Sequence, residues 1–210
     1  SLYPPPSFAL NLAKHRNPEF HSYDTSLAEN FHKIDNFETA KKIYNNLSKN
    51  GEAFNWYSSK QLARIFIKNE DKNEALKLLN NSYNSLINKE IYETFDYAEF
   101  LKNNEKFEKS IPLYTNIISL IDKSHPLYSE ATDGRGIAYE RIGEWNKAEK
   151  DLLDSLEANP DQAYVINYLA YSWIEKGIKI KKSLRMLEKA NSLRSNDPYI
   201  TDSLGWALFK

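Results

Sequence analysis

The side chains of this chain that could perform chemistry are few and lie far apart in the sequence. The four histidines are His15, His21, His32 and His125. His21 and His32 are eleven positions apart, about three turns of a helix, so they could share one helical face. A zinc pair prefers a spacing of three or four positions with further ligands close by. We therefore interpret both as solvated histidines and not as metal ligands.

The sequence patterns of common catalytic and phosphate-binding sites are absent. The sequence contains no His-Glu-x-x-His, no Gly-x-Ser-x-Gly and no Gly-x4-Gly-Lys. It also has no cysteine, which excludes disulfides, thiolate catalysis and cysteine-ligated metal sites. The stretch "DGRG", Asp133–Gly136, resembles a ligand loop only superficially. We predict that the chain is not an enzyme and has no catalytic residue, cofactor or metal site.

Composition narrows the class of partner. The 210 residues include 28 lysines and arginines against 29 aspartates and glutamates, a net charge of −1. A dedicated nucleic-acid binder usually carries a strong basic excess, so a nucleic-acid partner is not expected. No apolar run approaches the roughly 18 residues that a membrane-spanning helix needs. The sequence therefore predicts no transmembrane segment.

Small residues recur along the chain at an interval close to 35 positions. In the first register each small residue has a large residue three positions after it; its members are Ala28, Ala63, Ala98, Gly136, Ala170 and Gly205. In the second register a large apolar residue follows four positions later; its members are Ala40, Ala75, Ser110, Ala148 and Ser183. Spacings of three and four place both residues on one helical face. Each repeat therefore contains two helices.

The small residues indicate where the paired helices approach each other closely. Gly136 costs about 1 kcal/mol of helix propensity relative to alanine, and a close helix contact explains why it is tolerated. In the same repeat, Arg135 stands where the other repeats have a leucine or tyrosine. We expect its stem to lie along apolar surface with the guanidinium in water, and this spot to pack less well.

The repeat predicts an all-α fold of about twelve helices, arranged as antiparallel pairs in a right-handed superhelical solenoid. Residues 1–6, "SLYPPP", are expected to be extended because of their prolines. A lone helix is expected over Ser7–Arg16, and one solenoid over 7–210. The repeat units are expected to start near 21, 56, 91, 129, 163 and 198, with partial units at both ends.

The repeat resembles the tetratricopeptide repeat (TPR), a helix pair of about 34 residues. The stretch "GIAYERIGEWNKAEKDLLDSLEANP" has the pattern at Gly136, Tyr139, Ala148, Leu152 and Pro160. The resemblance covers 7–210, is strongest in the last three units, and includes similarity to bacterial, envelope-associated TPR proteins. It implies a scaffold for protein–protein interactions. The compartment stays open between bacterial cytoplasm and periplasm or envelope.

In such a solenoid the first helix of each pair lines a concave groove, where we expect a peptide or protein partner to bind. Groove positions are mainly basic in the first three units and mainly acidic in the last three, where aromatic residues are added. Aromatic side chains are common anchors of binding surfaces. The predicted groove residues are Lys60, Arg64, Lys68, Tyr164, Asn167, Tyr171, Tyr199 and Trp206.

Other functions fit the same repeat. Helical-pair repeats also bind single-stranded RNA, but such proteins need a basic groove, and this one is charge-balanced. The chain could also be a recruiting or regulatory segment of a larger enzyme or envelope assembly. Since both ends interrupt a helix pair, self-association through exposed terminal helices is a further expectation.

Overall fold

The computed structural model describes residues 21–210, and every regular element in that range is an α-helix. The expected extended segment 1–6, the expected helix Ser7–Arg16 and His15 lie outside the described residues. The longest described helix has 17 residues, and within 21–210 none is both long and apolar enough to cross a membrane. The helices are α1 Ser22–Lys33, α2 Phe37–Leu47, α3 Glu52–Lys68, α4 Lys72–Ser85, α5 Ile91–Asn103, α6 Phe107–Leu120, α7 Pro126–Arg141, α8 Trp145–Ala158, α9 Ala163–Glu175, α10 Ile180–Leu193 and α11 Pro198–Phe209.

The helices follow one another as hairpins with short connections, which confirms the all-α fold of helix pairs. The described residues divide into two compact units, 21–93 and 94–210. In the first unit α1 packs against α2 and α3 against α4. In the second unit α7 packs against α8, α9 against α10, and α11 against α10 and α9. The single solenoid over 7–210 stays a prediction, and each unit is described by itself.

The two small registers form the contact between paired helices. All five members of the second register are fully buried, as are the four alanines of the first. A Cβ added at Gly136 would lie 3.2 Å from the Cβ of Asp151 and 3.3 Å from the carbonyl oxygen of Ala148. The backbone of α7 therefore lies directly on α8. "DGRG" is part of helix α7, and Gly136 serves helix packing as predicted.

Gly134 is a second close contact, which the repeat did not predict. A Cβ at this position would lie 2.7 Å from the Cζ atom of Tyr114 on α6. Tyr114 is fully buried, and its hydroxyl donates a hydrogen bond of 2.5 Å to Glu99 Oε1 on α5. Because this bond and the packing fix the ring, position 134 has no room for any side chain.

The turns inside the hairpins repeat one geometry. Asp35, Glu70 and Glu105 end the first helices of three successive pairs with left-handed φ values of 59°, 63° and 62°. In the first two pairs the next residue, Asn36 or Asp71, caps the second helix by accepting a hydrogen bond from the backbone N–H three positions later. The same short turn therefore reverses the chain in consecutive repeats.

Arg135 does not extend into water, so that expectation was wrong. Its Nε donates to Asp151 Oδ2 at 2.6 Å and its Nη2 to Asp151 Oδ1 at 2.9 Å. Asp151 is only 4% exposed. A bidentate ion pair therefore joins α7 to α8, and a hydrogen bond from Arg135 Nη1 to Thr115 adds α6.

The sequence of the other repeats explains this pair. Three positions after the small residue of the second register, the other repeats have an apolar residue, whereas this repeat has Asp151; the apolar residues are Ile43, Leu78, Leu113 and Met186. The Arg135–Asp151 pair thus occupies the place of an apolar pair. One departure from the repeat compensates for the other.

Glycine substitutions test the close helix contacts. We expect Gly134→Ala to destabilise the second unit by about 1–3 kcal/mol, because Tyr114 has to move, and Gly136→Ala to destabilise it less. Gly205→Ala is the matched control, because its Cβ would have no neighbour within 4 Å among the described residues. It should raise stability by about 0.5–1 kcal/mol. Denaturant unfolding measures all three, and a stable Gly134→Ala protein would contradict the packing.

A double-mutant cycle tests the buried ion pair. Arg135→Leu leaves the Asp151 carboxylate buried without a counter-ion, and we expect it to cost about 3–5 kcal/mol. The double variant Arg135→Leu, Asp151→Leu restores the apolar pair of the other repeats and should lie close to the parent protein or above it. Additive losses in thermal unfolding would show that the two residues do not act as a pair.

Candidate functional site

Three hollows lie along the first helices of the second unit, α7, α9 and α11. The Asp133 cavity has a volume of about 470 Å³ and lies between α7, α9 and the end of α10. The Trp206 cavity, about 880 Å³, lies between α9 and α11, and a cleft of about 180 Å³ lies between α7 and α9. Tyr168 borders both the Asp133 cavity and the cleft, and Tyr171 borders both the cleft and the Trp206 cavity. The hollows therefore adjoin, and we call the row the second-unit groove.

Hydrogen bonds from aromatic side chains to glutamates connect the helices that form this groove. The Tyr168 hydroxyl on α9 donates to Glu140 Oε2 on α7 at 2.9 Å. Trp206 Nε1 on α11 donates to Glu175 Oε1 on α9 at 2.6 Å. Burial, together with the bond to Glu140, raises the pKa of Tyr168, so its hydroxyl stays protonated as a donor. Both glutamates thus accept hydrogen bonds from donors of the groove itself.

Charged residues of the Asp133 cavity are mostly paired. Arg194 places its guanidinium over the Tyr164 ring, 4.7 Å from the centroid, and donates to the Tyr164 hydroxyl at 3.3 Å. That hydroxyl donates to Asp197 Oδ2 at 2.7 Å. Asp161 forms an ion pair of 2.9 Å with Lys189 Nζ. Most of the polar lining is therefore engaged within the protein.

Among residues 21–210, Asp133 is the charged residue of this cavity that is not paired. Its half-buried carboxylate accepts no hydrogen bond and forms no ion pair with the described residues. Burial raises its pKa to about 7, the Lys102 charge opposes this, and Glu99 and Glu130 add to it. Lys102 does not pair with Asp133 because its Nζ is held by Glu99 Oε1 at 2.7 Å. Asp133 therefore changes charge near neutral pH at the edge of an open cavity.

The Trp206 cavity presents aromatic surface. The Trp206 and Phe209 rings stack with centroids 5.6 Å apart, and Lys210 Nζ lies 4.7 Å from the Trp206 ring centroid. Phe209 is 79% exposed and Tyr171 on the opposite wall is 39% exposed. Gly205 also lines the cavity, and a Cβ at this position would have no described neighbour within 4 Å. This is an accessible apolar site bordered by polar residues.

Three of the predicted groove residues lie at these hollows. Tyr164 lines the Asp133 cavity, whereas Tyr171 and Trp206 line the Trp206 cavity. Asn167 is half-buried, and its buried Oδ1 has no hydrogen-bond partner among residues 21–210. Tyr199 is 77% exposed on α11. Neither Asn167 nor Tyr199 borders the three hollows, and their binding roles stay predictions.

The predicted basic residues belong to the first unit, on α3. Lys60 Nζ lies 5.6 Å from the Trp56 ring centroid. Arg64 donates to the glutamine three positions before it. Lys68 forms an ion pair of 2.6 Å with Asp35. The predicted groove that joins these residues to the aromatic residues of the second unit stays a prediction.

His21 and His32 each pack against an aromatic ring, so the interpretation of both as solvated was wrong. The His21 ring meets Phe54 edge-on at 5.2 Å, and His32 meets Phe37 at 5.7 Å. Both side chains are half-buried. Burial lowers the pKa of His32, helped by neighbouring positive charges. Among residues 21–210, no group of three histidines or carboxylates is placed to hold a metal ion.

Sequence reasoning missed Tyr168 and Arg194. Tyr168 lies two positions before Ala170, a place that was not counted as part of the groove, and Arg194 follows the second helix α10. The contact between Tyr164 and Asp197 could have been predicted from the repeat, because the two residues are 33 positions apart, about one repeat length. The repeat predicts groove residues on the first helices alone, whereas Arg194, after α10, also lines the groove.

The unpaired Asp133 carboxylate makes the stability of the protein depend on pH. The pKa of Asp133 is about 7 in the folded protein against an ordinary 3.8. The folded protein therefore holds this proton more tightly than the unfolded chain does, and the free energy of unfolding falls as pH rises from about 4 through 7. We expect Asp133→Asn to be more stable than the parent protein at pH 8, on the order of 2–4 kcal/mol. The difference should vanish near pH 4. Thermal unfolding across this pH range measures it, and a constant difference would contradict a raised pKa.

Comparisons with known proteins agree with the repeat. No family model matches the chain. The TPR repeat-containing protein PA4667 of Pseudomonas aeruginosa is 27% identical over 113 residues, which are 54% of this chain and 18% of that protein. The chain therefore spans less than a fifth of the length of this relative.

Solved structures share the fold at low sequence identity. One chain of the APC/C hetero-tetramer Cut9–Hcn1 matches 96% of this chain with a TM-score of 0.70 and 16% identity, over 39% of its own length. YrrB, a TPR protein with an unusual peptide-binding site, matches 94% of this chain and 98% of its own, with a TM-score of 0.63 and 16% identity. MamA from Desulfovibrio magneticus matches 85% of this chain and 98% of its own, with a TM-score of 0.66 and 14% identity.

The described helices, the repeat of about 35 residues and these likenesses lead to one conclusion. The chain has the fold of tetratricopeptide-repeat proteins, and its sequence repeat is similar to theirs.

Proposed function

We propose that the chain is a protein-interaction scaffold that binds an extended peptide segment of a partner protein in the second-unit groove. The observation that carries this proposal is the row of three adjoining hollows along α7, α9 and α11. Alternate side chains of an extended segment lie about 7 Å apart on one face. Such a segment could place successive side chains in neighbouring hollows.

The Trp206 cavity supplies the main anchor in this proposal. Tyr171, Trp206 and Phe209 offer exposed aromatic surface in a concave site. Aromatic residues in such sites dominate binding energies because they exclude water over a large area. The Trp206–Glu175 hydrogen bond holds the indole in place before binding, which lowers the entropy cost of ordering it. We therefore assign this cavity to an apolar side chain of the partner.

Basic residues of the first unit have a separate proposed role. We retain Lys60 and Arg64 as contacts to acidic residues of the partner. Lys68 is already paired with Asp35 at 2.6 Å, so its contribution should be smaller. Exposed charge contacts of this kind affect association rates more than affinity.

The fold supports the proposal at the level of class. YrrB, whose structure includes a peptide-binding site, matches most of this chain in fold. Cut9–Hcn1 shows the fold within a hetero-tetramer. These likenesses fit a scaffold for protein–protein interactions, and the groove contacts are our proposal.

Substitution of the anchor residues tests this function. Peptides are first selected from a random display library on the full chain, and their affinities are measured by calorimetry. We expect the double variant Tyr171→Ala, Trp206→Ala to weaken binding at least about 100-fold, since a hot-spot aromatic contributes about 2 kcal/mol or more. Thermal unfolding monitors whether each variant remains folded.

Leu120→Ala is the matched control, because Leu120 is a 65% exposed apolar side chain outside the three hollows. It should change peptide affinity less than about twofold, as expected for a residue outside the contact region. Undiminished binding by a folded double variant would refute the assignment of the Trp206 cavity as the anchor.

A further inference from the structure

We propose that the Asp133 cavity binds the side chain of a lysine or arginine from the partner segment, with the Asp133 carboxylate as its counter-ion. This inference rests on the proposed function for the source of the side chain, and it names the chemistry of that segment.

The hydrogen-bond inventory of the cavity singles out Asp133. Asp161 is paired with Lys189, and the Gln162 amide donates to the backbone oxygen of Asn159 at 3.0 Å. Arg194 donates a hydrogen bond to the Tyr164 hydroxyl. Among the described residues that line the cavity, Asp133 is therefore the charged group without a hydrogen bond or an ion pair. A buried carboxylate gains most from a charged donor that enters the site.

The other walls suit a long aliphatic stem that ends in a positive charge. Ile137, Val165 and Leu193 line the cavity together with the rings of Tyr164 and Tyr168. Lysine and arginine place their methylene stems along apolar surface and their charged ends on polar groups. Tyrosine rings also attract cations through their faces. A cavity of about 470 Å³ has room for such a side chain.

An anionic ligand is disfavoured in the same cavity. Arg194 is the positive group of the lining, but it already stacks on Tyr164. The hydrogen bond from Tyr164 and, to a smaller extent, the Arg194 charge lower the pKa of Asp197. An anion would also meet the unpaired Asp133 and the neighbouring Asp161. Charge complementarity therefore favours a cation.

The charged groups around Asp133 determine how cation binding in this cavity depends on pH. Glu99 and Lys102 face it from α5, and Glu130 precedes it on α7. The Tyr114 hydroxyl on α6 lies close enough for Asp133 to raise its pKa. On the cavity side lie the paired groups Asp161, Arg194, Tyr164 and Tyr168. Because the pKa of Asp133 is about 7, the protein must release a proton to bind a cation at pH 6 but not at pH 8.

Binding of a minimal probe to the full chain tests the inference independently of any peptide partner. The probe is N-acetyl-lysine methylamide, and its neutral analogue is N-acetyl-norleucine methylamide. Titrations followed by amide NMR shifts at Ile137 and Tyr168 give both affinities. We expect the lysine probe to bind at least tenfold more tightly at pH 8, and Asp133→Asn to abolish that preference.

Two further measurements sharpen the test. Affinity of the parent protein for the lysine probe should rise roughly tenfold from pH 6 to pH 8, because a group with a pKa near 7 is about 9% ionised at pH 6. The Asp133→Asn protein should show no such rise. Asp154→Asn, the same substitution on α8 outside the hollows, is the matched control and should leave affinity unchanged within about twofold.

The outcomes separate this inference from the proposed function. Equal affinity for the lysine and norleucine probes, tighter binding of N-acetyl-glutamate methylamide, or full binding by Asp133→Asn would each overturn the cation site. Peptides selected on the parent protein should share a lysine or arginine that selection on Asp133→Asn loses. If the lysine probe binds at Asp133 but no peptide occupies the groove, the proposed function fails and the cation site stands.

Discussion

Close approach of paired helices at buried small residues is the constraint on which the rest of the structure depends. A Cβ added at Gly136 of α7 would lie only 3.3 Å from a carbonyl oxygen of α8. The alanines of the first register and all members of the second are fully buried between the helices, and large residues beside them fill the core. A helix pair of this kind buries only one face of its first helix against its partner. In the second unit, the residues of α7, α9 and α11 that line the three hollows form the groove.

The period of small residues was sufficient to predict the helix pairs, because a small residue inside a helix has a packing reason that repeats with the fold. Contacts that differ from one repeat to the next were harder to predict. The hydrogen bond from Tyr114 to Glu99 fixes the ring over Gly134. At the equivalent glutamate of the first unit, Glu29, the donor is Tyr57 instead. The Arg135–Asp151 pair was visible in principle, since both residues replace apolar ones in the same repeat. Neither replacement taken by itself indicates a pair.

Prediction of the site from sequence was limited by a different cause. Counting charges along the groove treats every carboxylate as free, but the structure shows that several accept hydrogen bonds from aromatic donors. Glu29 accepts from Tyr57 in the first unit, and Glu140 and Glu175 accept from Tyr168 and Trp206 in the second. The charge that a partner meets therefore depends on pairing, which composition does not reveal. Of the groove carboxylates, Asp133 stands out only once the partners of the others are known.

Stability and binding make opposite demands on Asp133. A carboxylate whose pKa is raised by burial destabilises the free protein at neutral pH, because ionisation is easier in the unfolded chain. The fold offers a simple remedy, since Lys102 lies close enough to affect Asp133, yet it bonds to Glu99 instead. A cation from a partner would supply the missing counter-ion and recover the lost free energy on binding. Unpaired charge at the edge of a cavity is thus better explained by a ligand than by the packing of the helix pairs, in line with the stability that binding sites commonly sacrifice.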